Sequence, residues 1–138
     1  MSADFAGFQI YPEETLSILR ESQKWNFVPG GREVPDLDCL GFLLLLLNRR
    51  GINVEVEDNR KNFVWWDLLD KSEEFSNGKI LLFNYPETFH IGIMIGPVKF
   101  LSWDVHGMEI ANIATSNKYK RRLQGIYEIN DKVLSQSI

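Results

Sequence analysis

Cys39 is the only cysteine among 138 residues, and it stands inside Asp38-Cys39-Leu40-Gly41-Phe42, immediately ahead of an unbroken leucine run, Leu43 to Leu47. Asp36 and Asp38 suit a helix N-cap or first turn, leucines propagate a helix, and Arg49, Arg50 and Gly51 are stop signals. The pattern therefore predicts a helix that begins at Cys39. Unpaired N–H groups and the positive dipole end at a helix start favour thiolate over thiol, the form in which cysteine is a nucleophile. The expectation is an activated thiol, with an apparent pKa below the roughly 8.5 of a free cysteine. A thiol nucleophile needs a base, and the only histidines are His90 and His106, both downstream in strand-like sequence. Lone cysteines are commonly small buried hydrophobes; the neighbouring chemistry is what singles this one out.

The helix that carries Cys39 is apolar on nearly every side, so it must be buried. At about twelve residues it is too short for the roughly 20 that span a bilayer, and it reads as the central core helix of one domain covering 1–138. Ahead of it, Pro12-Glu13-Glu14 opens a helix through about Gln23 with Leu16, Leu19 and Ile18 inward, and Trp25 to Arg32, broken by Pro29-Gly30-Gly31, reads as a loop. Behind it come a short extended segment at Ile52 to Val56, a charged loop at Glu57 to Lys61, and helical spacing from Val64 to Phe75. From Asn77-Gly78 onward the period changes to two. Strands are predicted at Lys79–Asn84, Phe89–Gly96, Lys99–Asp104, Met108–Ile113 and Leu123–Ile129, with short turns that force antiparallel pairing. Helices first and strands second give an α+β fold, with the helices on one face of an antiparallel sheet.

Composition narrows the function. A net charge of −4 and a pI near 5.2 argue against a general nucleic-acid binder. One cysteine forms no internal disulfide, and Met1-Ser2-Ala3-Asp4 shows neither the basic nor the apolar region of a secretory signal. Neither membrane insertion nor a cofactor is expected. Cys39, His90 and His106 lack the paired spacing of a zinc site, so no metal is expected, and His106 beside Gly107 reads as an exposed turn residue. Lys118, Lys120, Arg121 and Arg122 read as a solvated basic loop, and Trp65-Trp66 as core or a docking surface.

Taken together, the motifs resemble the NlpC/P60 peptidases, in particular the version carried by phage tails. The residues that carry the resemblance are Phe27-Val28-Pro29-Gly30-Gly31-Arg32, Asp38-Cys39-Leu40-Gly41-Phe42, Gly78-Lys79 with Phe83, His90-Ile91-Gly92-Ile93-Met94-Ile95-Gly96 with Phe100, and Arg121-Arg122-Leu123-Gln124-Gly125-Ile126-Tyr127. The resemblance covers about residues 12–129 of that domain. It implies a papain-like cysteine peptidase that cuts the stem peptides of peptidoglycan. It further implies a tail-tip protein of a virion, assembled in the host cytoplasm beside other tail proteins. Under it Cys39 is the nucleophile and His90 the base, with Asp38, Phe27 and Leu40 placed to contact substrate. Ser102, twelve residues after His90, takes the place of the family's third catalytic residue, which is normally His, Asn, Gln or Asp. Phe27 stands for a tyrosine and Leu40 for a small or aromatic residue. Asp104, two residues further along the same strand face, is expected to supply charge at longer range, and Ser102→His is expected to raise activity. A structural or plug protein of the tail on the same fold, with a weak or silent site, is the alternative.

Overall fold

The computed structural model describes residues 8–52, 69–86 and 88–130. Among the described residues, two helices precede the main sheet. Helix α1 spans Pro12–Ser22, with Pro12, Glu13 and Glu14 in its first turn. Its inward stripe is Thr15, Ile18 and Ser22, whereas Leu16 is exposed and Leu19 only half-buried. Ile18 is inward as expected and Leu19 packs against the core, but the i, i+3, i+7 spacing that meets the core starts at Thr15, so Leu16 is corrected to an exposed residue.

Between the helices, the segment expected as a loop forms a small three-stranded sheet. It comprises β1 (Asn26–Phe27), β2 (Arg32–Glu33) and β3 (Asp36–Leu37) in the order β1-β3-β2. Two residues per strand are too few to show a period. Gly31 is required by close approach, since a Cβ there would press on the backbone carbonyls of Asp36 and Val28. Helix α2, Cys39–Arg49, follows as predicted, with the Asp38 side chain accepting the Gly41 N–H as its N-cap. Gly51, at φ +80°, ends it in a conformation that favours glycine.

The large sheet contains β4 (Leu69–Ser72), β5 (Ile80–Tyr85), β6 (Thr88–Met94), β7 (Lys99–Asp104), β8 (Gly107–Asn112) and β9 (Leu123–Ile129). Every pairing is antiparallel, in the order β4-β9-β5-β6-β7-β8. The predicted meander is present from β5 to β8. The last strand instead returns to lie between β4 and β5. Leu69–Ser72 is a strand paired with β9, not part of a helix, and Phe75 is exposed, so no apolar helical stripe reaches it. The expected extended segment at 53–56, the charged loop at 57–61 and the Trp65-Trp66 pair lie outside the described residues.

Strand alternation separates two cores. One face presents Ile80, Leu82, Ile91, Ile93, Leu101 and Trp103 to helix α2, whose Phe42, Leu43, Leu46 and Leu47 are buried against them. The other face buries Leu81, Phe83, Met94 and Phe100 under a third helix, α3 (Asn117–Arg122). This helix occupies the run predicted to be a basic loop. Its N-cap Ser116 accepts the Tyr119 N–H, and Tyr119 alone of the helix is buried.

The lead before α1 is also built in. Phe8 and Ile10 are core residues, and Asn77 clamps Ile10 by accepting its N–H and donating to its carbonyl, each at 2.7 Å. Arg50 follows the end of α2, donates to the Gln9 carbonyl, and ion-pairs Glu14 at 2.5 Å. Its guanidinium also lies over the rings of Phe8 and Tyr11.

Candidate active site

Asp38 sets the position of Cys39. Its Oδ1 accepts the Gly41 N–H at 2.8 Å, its Oδ2 accepts the Gly30 N–H at 2.9 Å, and Arg32 Nη1 lies 2.8 Å from both oxygens. These bonds tie the start of α2 to the small sheet. They also occupy the lone pairs of a carboxylate that the family resemblance places in contact with substrate. Leu40 is buried, its side chain packed inside the molecule. Phe27 is half-buried with its ring 6.0 Å from that of Trp103. Both aromatic residues line a groove of about 630 Å³ that also includes Trp25, Asp104, His106 and Met108. Neither Cys39 nor His90 lines the groove.

Strand β6 carries His90 and Ile91 just before its first pair with β7, Gly92↔Ser102. Ile91 faces helix α2, while His90, paired with Phe83, faces the other way. The Ile91 N–H, in the peptide that joins the two residues, is among the backbone groups that favour the Cys39 thiolate. Cys39 is half-buried overall and packs against the α2-side core. The His90 ring is buried between Phe83, stacked at 6.0 Å, and Tyr85, edge-on at 5.8 Å.

His90 Nε2 lies 2.8 Å from Ser102 Oγ. The contact is diagonal across β6 and β7. It is open because the residue directly opposite Ser102 is Gly92, above which the Phe100 ring packs too closely to admit a Cβ. Ser102 is fully buried and also lies 3.3 Å from the Tyr119 hydroxyl, which donates to Glu109 Oε1 at 3.0 Å. An imidazole at position 102 would overfill this space. Ser102→His is therefore expected to lower stability by about 1–3 kcal/mol, with a lower denaturation midpoint, in place of the gain in activity anticipated from sequence. Asp104 does not touch the ring; its Oδ1 accepts the His106 N–H at 2.8 Å. Tyr119 and Glu109 were not singled out by sequence. The available signal was one aromatic residue inside a Lys and Arg run, three residues after a Ser that can cap a helix.

The electrostatics reverse one expectation. Burial, and then the Asp38 charge, push the Cys39 thiol up to about 12, against the opposing pull of the Ile91, Leu40 and Cys39 N–H groups. Desolvation outweighs the helix start. Burial also lowers His90 from its ordinary 6.5, with Lys118 acting the same way and Asp104 and Glu109 opposing it. The resting pair is thus a neutral thiol and a neutral imidazole. Alkylation of Cys39 by iodoacetamide is expected to rise with pH without a plateau up to about pH 10; a plateau below pH 8.5 would contradict the neutral thiol.

Both shifts also act on folding. Below pH 6.5 the unfolded His90 binds a proton that the folded ring resists, so stability falls on acidification through that value. Above pH 9.0 the unfolded Cys39 loses a proton that the folded thiol keeps, so stability falls again on the alkaline side. Denaturant midpoints at pH 5, 7.5 and 10 should show this dome, and Cys39→Ala should flatten its alkaline limb. A limb equally steep in that variant would assign it to other groups.

A half-buried thiol at a helix start, together with a buried histidine that has its own hydroxyl partner, is suited to acyl transfer through sulfur. No helix among the described residues is long and apolar enough to cross a membrane. Among curated proteins none matches the chain. The α+β architecture, with its single cysteine in α2, is that of a papain-like fold. The family pattern described as NlpC/P60 family matches residues 24–127 and takes in both the cysteine helix and the histidine strand. The chain therefore belongs to the NlpC/P60 family, whose membership points to peptidoglycan-hydrolysing cysteine peptidase activity.

Proposed function

We propose that the protein is a peptidoglycan-cleaving cysteine endopeptidase of the phage tail tip, which opens the cell wall during penetration. The observation that carries the enzymatic reading is a cysteine at the start of α2 together with a buried His90 whose ring Nε2 lies 2.8 Å from Ser102 Oγ. In this reading the thiol proton passes to His90 as the sulfur attacks the carbonyl carbon of a stem-peptide bond. The Cys39 N–H, among the unpaired donors of the first helical turn, stabilises the resulting oxyanion. Collapse breaks the C–N bond and the amine leaves with the proton from His90. Water, deprotonated by His90, then hydrolyses the thioester and returns the thiol. Since both partners rest neutral, proton transfer accompanies attack, and the rate is modest.

The tail location rests on the resemblance of the motif set to the version carried by phage tails. Such a protein is assembled in the host cytoplasm with other tail proteins and meets its substrate at the next infection. A second reading, a tail plug with a silent site, is favoured by the burial that raises the Cys39 thiol. Incubation with purified peptidoglycan, followed by mass spectrometry of released muropeptides, separates the two. Cleaved stem peptides support the enzyme, and an unchanged digest at high protein concentration supports the plug.

A further inference from the structure

We infer that Tyr119 and Glu109 extend the Ser102 contact into a one-way hydrogen-bond relay that fixes the tautomer of His90 and brings a carboxylate's charge to its ring. The direction follows from counting protons. The Glu109 carboxylate only accepts, so the single Tyr119 O–H, 3.0 Å away, is given to it. The Tyr119 oxygen is then free to accept the Ser102 O–H at 3.3 Å. Having given its only proton, Ser102 Oγ accepts the His90 Nε2–H at 2.8 Å. Nδ1 is left with the lone pair and is the one basic nitrogen of the ring; in the hydrolase reading it is the atom that takes the thiol proton. Hydroxyls thus do what a third charged or amide residue does elsewhere. The charge sits at the far end instead of at the ring.

The fold supplies each member of the relay. Glu109 lies directly opposite Ser102 in the β7–β8 ladder, so the two share a sheet face. Tyr119 descends from α3 onto that face, with its ring 5.0 Å from those of Phe83 and Phe100. Ser102 and Tyr119 are buried, which keeps water from competing for their hydroxyls. Burial also pushes the Tyr119 hydroxyl up to about 12, so it stays a donor across the working range. Of the other charges that act on His90, Asp104 on β7 and Lys118 on α3 work through space, outside the relay.

The role in turnover rests on the hydrolase reading, but the relay can be read without turnover. Long-range ¹H–¹⁵N NMR of the histidine-labelled full chain is expected to show His90 as the Nε2–H tautomer. Tyr119→Phe, which keeps the packed ring, and Glu109→Ala, at an exposed position, should each mix the tautomers and lower the His90 pKa. In a cleavage assay each should reduce kcat about tenfold with KM unchanged. An Nδ1–H tautomer in the parent chain would overturn the relay. So would either variant leaving both tautomer and pKa unchanged. Asp104→Asn should lower the pKa while the tautomer stays fixed; a tautomer shift as large as that of Glu109→Ala would mean that charge alone sets it. A fixed tautomer in a protein that cleaves nothing would keep the relay and remove the hydrolase.

Discussion

Cys39→Ala should release no new muropeptide from purified peptidoglycan under conditions where the parent chain does, because no other thiol is present to form the acyl intermediate. His90→Ala should reduce the rate by about 10²–10⁴-fold, the usual contribution of a positioned general base. The two losses should differ in origin. The alanine at position 39 removes the bond-forming atom, and the alanine at position 90 leaves a buried thiol near 12 with no acceptor for its proton. A folded Cys39→Ala variant that still cleaves at the parent rate would place the chemistry elsewhere. Folding must be checked beside rate, since His90 is buried between Phe83 and Tyr85 and its truncation leaves a gap.

Phe83→Ala should cost about 3–5 kcal/mol, the range for emptying a fully buried aromatic site. Phe83 is completely buried and its ring meets those of His90, Phe100 and Tyr119 at 6.0, 5.4 and 5.0 Å. It also stands where β5 shifts register against β9, between Leu82 and Phe83. With a urea m-value of about 2 kcal/mol/M, the midpoint should drop by about 2 M. A shift under 0.5 M, on the order of 1 kcal/mol, would show that this face of the sheet relaxes to fill the space. Phe83→Leu, which retains much of the volume, should recover most of the loss.

What could be read from sequence was whatever repeats with a period or announces itself by a cap. Asp38 and the leucine run define α2 because capping and propagation are local. Strands β5 to β8 were legible because each is six or seven residues long and ends in turn-forming residues. The two-residue strands at Asn26–Phe27, Arg32–Glu33 and Asp36–Leu37 carry no period, and their partners are found only after the chain folds back. The spacing of Ser102 from His90 was visible. The bond from Ser102 to Tyr119, 17 residues away, depends on where α3 lands. The sign of the Cys39 shift could not be read either. A helix start is local and lowers it, whereas desolvation is a property of the packed core and raises it further.

The segment ahead of Lys24 has a consequence for how the protein is cut. The family pattern begins at residue 24, yet Phe8, Ile10 and Ile18 lie in the same core as Leu43 and Leu46. A recombinant fragment bounded by the pattern would uncover these leucines and strip Arg50 of Glu14, Gln9 and the rings of Phe8 and Tyr11. Here the unit of homology is shorter than the unit of folding. Domain shuffling that respected only the former would deliver an aggregating piece, so the excisable module is set by the Asn77 and Arg50 clamps on the leading residues.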